Sequence, residues 1–186
     1  MFTESFPYEV FLTQKEFIRV MEAPRDFVFW VDLIDEETNE LIKAHQEEEG
    51  MEQIFKEAAD LLYVVCGFYN TMPPNCYELI SDEANARVQQ VFERAVSAFG
   101  EIISNYVIPP ALVIEAFQVV HQSNMSKLDD NGQPIRSDGT DGNPKGKILK
   151  GPNYVAPSMA PVVMKWDKYI QQLKDQGMIE DAAEGN

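Results

Sequence analysis

Histidine and cysteine are scarce in this sequence, with two of each among 186 residues. Cys66 and Cys76 are too few and too irregularly spaced for a disulfide framework or a zinc cluster, and they fit a reducing compartment. Neither His45 nor His121 has an acid three residues before it, which excludes the paired Glu-x-x-His motifs of a di-iron bundle. The EF-hand loop pattern is missing too. Cations are in short supply: 15 Lys and Arg face 31 Asp and Glu, a formal charge of -16. That imbalance disfavours nonspecific nucleic-acid binding, which needs excess cation to replace the counterions on phosphates. It leaves room for a small phosphorylated ligand if a divalent metal supplies the positive charge. No apolar run approaches the ~20 residues that span a bilayer. The N-terminal stretch Met1–Phe11 carries acid and lacks the basic segment that opens a signal peptide. These absences predict a cytoplasmic chain with neither a membrane nor a nucleic-acid partner.

What the sequence has in abundance is apolar residues at helical spacing. Thr13-Gln-Lys-Glu16 is a capping-box pattern that opens a short first helix, ended by Pro24. A second helix is predicted from about Asp26 to Glu48, and a third from Met51 to the stop at Pro73-Pro74. Ser81 is the predicted N-cap of a long fourth helix reaching Tyr106. Pro109-Pro110 open a fifth, Ala111–Met125, and the last runs from Ser158 to Lys174. Between Asp129 and Ala156 the pattern gives way to Gly, Pro, Asn, Asp and Lys, a loop of a length that is uncommon in compact domains unless functional or disordered. No stretch alternates as a strand would. The expected fold is all-α: a bundle of five or six helices with a lid-like loop, forming one domain over residues 1–186. Its core spans about 27–157, followed by a C-terminal helix at about 158–176 and an acidic tail at 178–186. The apolar faces exceed what one thin bundle needs, so a homodimer or homotetramer is expected.

Acids sit inside the apolar repeat of the second and third helices. At about 100° per residue, Glu36, Glu37 and Glu40 share the stripe of Leu33 and Ala44. On the third helix, Glu57 and Asp60 project beside Leu61 and Val64. Carboxylates at such spacing repel, and desolvating them costs several kcal/mol per ion. Lys43 is close enough to the stripe for one ion pair, whereas Lys56 falls off it. Mg²⁺ or Mn²⁺, which favour hard oxygen ligands and keep water in open positions, are the better counter-charge. Glu47, Glu48, Glu49 and Glu52 crowd the turn around Gly50 and are assigned to a solvated surface.

Glu36-Glu37-x-x-Glu40 followed, after sixteen residues, by Glu57-x-x-Asp60 resembles the signature of the all-α nucleoside triphosphate pyrophosphohydrolases. That superfamily includes MazG, the dimeric dUTPases and phosphoribosyl-ATP pyrophosphohydrolase. The segments Trp30–Ile34, His121–Ile135 and Gly146–Pro157 are similar to those of MazG-like and phosphoribosyl-ATP pyrophosphohydrolase-like proteins, many of them from bacteriophage. The resemblance covers about Phe27 to Pro157 and leaves out the first and last helices. It implies hydrolysis between the α- and β-phosphates, with two or three Mg²⁺ ions per site and Mn²⁺ as a substitute. Glu37, Glu40, Glu57 and Asp60 would be metal ligands. Glu36 would bind a further ion or orient and deprotonate the attacking water, which makes Glu36 and Glu37 the candidate catalytic pair.

The leaving pyrophosphate needs cations. From Lys127 to Lys150 there are five against four acids, in a loop able to fold over bound phosphates. Asn124 and Lys127 are the preferred phosphate contacts, followed by Lys147 and Lys150. Trp30, two turns before Glu37, could line the nucleoside pocket. The predicted substrate is a purine (deoxy)nucleoside triphosphate, with a lean to dGTP or GTP by analogy with MazG-like proteins. Phosphoribosyl-ATP is the alternative substrate. A helical module that binds a nucleotide without hydrolysing it is the alternative class.

Overall fold

A computed structural model describes residues 6–180 apart from 76, 77, 79, 141 and 144. Cys76 and the tail from residue 181 onward, on which expectations fell, lie outside the described residues. Six helices follow in order: α1 (Tyr8–Val20), α2 (Phe27–Gln46), α3 (Met51–Thr71), α4 (Asp82–Asn105), α5 (Pro110–Met125) and α6 (Ala160–Asp175). No strand occurs among the described residues, so the all-α expectation holds. No single described helix is long and apolar enough to cross a membrane.

Most helix ends fall where their local chemistry puts them. Asp26 caps α2 by accepting from the Val28 amide at 3.0 Å, and Ser81 caps α4 by accepting from the Ala84 amide at 3.2 Å. The first helix is the exception. It begins at Tyr8 with Pro7 at its N-cap, so Thr13 lies inside the helix and its box pattern caps nothing. Val10, in the first turn of this added segment, is 1% exposed against the core. Tertiary burial of that kind, more than local propensity, decides where a helix forms.

α3 is the axis of the bundle. It packs against α1, α2, α5 and α6, and buried residues occur all round its second half, as expected of a central helix. Tyr63 stacks edge-on to Phe17 of α1 and tilts against Phe117 of α5, while Phe68 meets Phe27 of α2 and Phe92 of α4. The turn from α2 to α3 is sharp because Glu48 (φ 53°) and Gly50 (φ 91°) both take left-handed backbone. It reverses the chain so that the acid-bearing stretches of α2 and α3 lie side by side. The arginines of α4 engage other acids of α2: Arg87 pairs with Asp32 at 2.5 Å and Arg94 with Asp35 at 2.7 Å.

The long loop between α5 and α6 is laid over the bundle. Isolated antiparallel bridges join Leu128 to Pro134 and Arg136 to Ile148. The Arg136 guanidinium donates to the Met21 carbonyl at 2.7 Å, and Gly146 (φ 90°) rests on the Pro24 ring at the α1–α2 turn. Further along, the Ser126 hydroxyl accepts from the Val155 amide and the Ser123 hydroxyl donates to the Val155 carbonyl. These contacts bring Lys147 to the mouth of the acid-lined side of α2.

Candidate active site

One oxygen each of Glu37, Glu40 and Glu57 lies within 4.8 Å of the other two. The two helices therefore bring together three of the five motif acids as a potential cation cage. Glu57 is 2% exposed, Glu37 half-buried and Glu40 exposed, so the cage opens outward at Glu40. Burial, then the charges of Asp60, Glu40 and Glu57, push Glu37 well above the usual carboxylate range. Burial likewise pushes Glu57 up to about 7, against the hydrogen bond and charge of Lys56 and with Asp60 and Glu40 adding to the rise. Among the described residues, no cation lies within ion-pair distance of Glu37 or Glu40.

The other two motif acids are engaged by lysines. Lys147 Nζ lies 2.6 Å from Glu36 Oε1. Lys56 Nζ bridges Glu57 Oε1 at 2.8 Å and Asp60 Oδ2 at 3.0 Å. This corrects the expectation that Lys56 falls off the acidic stripe. Its Cα does, but the four-carbon stem is long enough to turn back over the stripe. The spacing i to i+4 between Lys56 and Asp60 was the signal that could have found it. Lys43, expected near the stripe, instead pairs with Glu47 at 3.6 Å and Glu49 at 3.5 Å in the turn.

Whether a divalent cation fits is answered by Glu57. Its Oε1 accepts from Gln53 and Lys56, while its Oε2 is buried with no hydrogen-bond partner. A buried carboxylate oxygen without a donor is costly, and here it stands among two further carboxylates. Hard, anionic oxygens converging without enough donors suit Mg²⁺ or Mn²⁺.

Beside the cage a cleft of about 80 Å³ is lined by Trp30, Glu37, Asp60, Asn124, Lys127 and Lys147, among others. Four residues singled out as substrate contacts thus share one cavity with two motif acids. Trp30 is 2% exposed, and its indole N–H donates to the Pro24 carbonyl at 3.1 Å. Burial holds the Lys127 ammonium below the usual lysine value, and the charges of Asp60 and Glu37 oppose that fall. Lys150 does not line the cleft; it is exposed and lies 4.8 Å from the centre of the Tyr154 ring. Tyr63, which sequence patterning assigned to no role, lines the cleft wall and hydrogen-bonds to His121 Nδ1 at 3.0 Å and to Asn124. Its period along α3 is that of a core residue, so nothing in the pattern marked it.

The family model for phosphoribosyl-ATP pyrophosphohydrolase matches residues 14–94, from within α1 into α4. The matched segment contains both acid motifs and also takes in most of the first helix, which the resemblance had left out. No curated protein and no solved structure gives a significant match. With the cage of Glu37, Glu40 and Glu57 inside it, the matched segment, which is less than half of the chain, is similar to the nucleotide pyrophosphohydrolases of the all-α superfamily.

Proposed function

We propose that the chain, as a single domain, hydrolyses a purine nucleotide carrying a triphosphate to the monophosphate form and pyrophosphate, with Mg²⁺ as cofactor. The observation that carries the proposal is the meeting of the carboxylate cage with a cleft that ends in Lys127 and Lys147. Glu37, Glu40, Glu57 and Asp60 would hold the metal. When bound, such ions lower the pKa of water and neutralise charge on the attacking and leaving oxygens. Glu36, on the lip of the cage, accepts the proton of the attacking water. Lys127, half-buried and beside the acids, offers its ammonium to the leaving pyrophosphate, with Lys147 and the Asn124 amide as further donors. Lys150 serves only if the loop shifts. Trp30 and Tyr63 form the apolar wall against which the nucleoside packs.

Two substrates share this chemistry. The matched family favours phosphoribosyl-ATP, and analogy with MazG-like proteins favours dGTP or GTP. Both carry a triphosphate on a purine. The test is to incubate the purified chain and Mg²⁺ with each dNTP, each NTP and phosphoribosyl-ATP, then identify products. Monophosphate plus pyrophosphate from any of them supports the proposal. Orthophosphate and a diphosphate would assign different chemistry, and binding without turnover across the panel would assign a nucleotide-binding module.

A further inference from the structure

We infer that Lys56 is a built-in counter-cation that occupies part of the metal site and sets how tightly the site takes a divalent ion. The inference rests on the proposed metal cage. Glu37, Glu40 and Glu57 converge, and two lysines form ion pairs with the motif acids. Lys56 Nζ reaches Glu57 Oε1 at 2.8 Å and Asp60 Oδ2 at 3.0 Å, and Lys147 reaches Glu36 at 2.6 Å. The two lysines differ in what they touch. Lys147 holds the rim, on an acid outside the group of three. Lys56 holds one oxygen of Glu57, the most buried member of that group, and leaves the other bare.

The chemistry of the pair makes the two cations rivals. Glu57 and Asp60 are ligands by their place in the motif, and Lys56 holds one oxygen of each, so an ion on the bare Oε2 of Glu57 would stand beside the ammonium and be denied those two oxygens. An ammonium held on Glu57 and Asp60 would stand close to a doubly charged ion bound by the same two carboxylates, and the two cations would repel each other even at surface dielectric. The ion can bind fully only if Lys56 withdraws. The side chain is able to: it is 31% exposed, against 3% for Glu57, and its ammonium stays solvated when it swings outward. Before loading, Lys56 steadies acids that would otherwise repel one another; during loading, its displacement is the cost that weakens metal binding. A chain with this arrangement folds without metal and takes it up only above a concentration that Lys56 sets.

Lys56→Gln removes the charge and keeps the stem. Manganese titration by calorimetry, without nucleotide, is expected to show Kd tightened at least about three-fold relative to wild type, with Lys56→Arg at or above the wild-type Kd. In chelator, Lys56→Gln is expected to melt lower than wild type. Saturating Mn²⁺ should raise its melting temperature by more than it raises the wild-type value. Lys43→Gln, which removes a lysine from the turn acids, should leave the Kd unchanged. An unchanged or weakened Mn²⁺ Kd in Lys56→Gln overturns the inference and leaves Lys56 a structural ion-pair partner. If wild type and Lys56→Gln both fail to bind Mn²⁺ and Mg²⁺, the metal cage itself is wrong and the proposed function falls with it.

Discussion

Two groups of acids lie a few residues apart on α2 and α3 and meet opposite fates. Glu47, Glu48, Glu49 and Glu52 flank the turn, stand exposed, and are answered by Lys43 through loose pairs to Glu47 and Glu49. Glu37, Glu40 and Glu57 converge instead, and Glu57 is buried to 2% exposure with one oxygen unpartnered. Composition does not separate the groups; register does. Acids at the turn point away from the helix pair, so water screens them and their pairing contributes little. Acids on the stripe face the neighbouring helix, where the burial of Glu57 and the half-burial of Glu37 leave less water to screen their charges. A cation site in a helical bundle is thus written in the phase of its carboxylates.

The sharpest way to break this contrast is to remove one negative charge from each group. Glu40→Gln is expected to abolish pyrophosphate release, by roughly 100-fold or more if it is a metal ligand, and to leave the melting temperature of the metal-free protein unchanged or higher. Glu52→Gln makes the same change of charge in the turn group and should leave turnover within two-fold of wild type, as about half a kcal/mol or less of barrier requires. Steady-state assay beside thermal melts in chelator measures both. Loss of the fold in Glu40→Gln would mean that the acid is a structural partner, and the two groups would then differ in burial alone.

A second effect, of similar kind but smaller, concerns protons. Glu57 titrates at an ordinary value of 4.5 when unfolded and at about 7 when folded. Between those values the folded chain binds more protons, so the metal-free protein loses stability as pH rises from about 4.5 through about 7, by up to about 3 kcal/mol. Urea titrations in chelator at pH 5.5 and pH 8 should show higher stability at the lower pH. Glu57→Gln should flatten that slope. Mn²⁺ should reverse it, because the ion needs the ionised carboxylate. A slope equally steep in Glu57→Gln would place its origin in the overall negative charge.

The cleft wall gives a third test. Gly67 faces the Trp30 indole so closely that an added Cβ would lie 2.2 Å from Trp30 Cε3. The ring cannot yield freely, since its N–H is held by Pro24 and its edge lines the cleft. Gly67→Ala is therefore expected to cost about 1–3 kcal/mol in urea denaturation. Pushing the indole into the cleft should also raise KM more than it lowers kcat.

The order of the helices was legible because caps and prolines mark their ends, as Asp26, Ser81 and Pro109 show. The start of α1 was not, because Val10 is buried by contacts with residues far along the chain, and no local signal announces them. The carboxylate stripe was legible for a related reason: helical phase is local, and Glu37, Glu40 and Glu57 need only two adjacent helices to meet. Side-chain reach is what phase omits. Lys56 points off the stripe at its Cα and still lands on Glu57 and Asp60, and Lys147 reaches Glu36 from 111 residues away along the chain. Loop residues were the least legible, since Lys147 and Lys150 look alike in sequence and only one lines the cleft.

The smallest expected effect returns to the turn. Glu48 holds φ 53°, a left-handed conformation that disfavours a residue with a long side chain and is well tolerated by Asn or Gly. Its side chain is exposed and makes no contact that the cage depends on, so the cost at this position belongs to the backbone. Glu48→Asn should stabilise the protein by up to about 1 kcal/mol, read as a higher urea midpoint at unchanged slope. Turnover and Mn²⁺ affinity should stay at wild-type values, because the turn sets the approach of α2 to α3 and the substitution preserves that path. A gain in stability accompanied by altered Mn²⁺ binding would show that the turn is not independent of the cage. Charge at Glu48 would then reach the metal site through the helix pair, and the division between screened and focused acids would have to be redrawn.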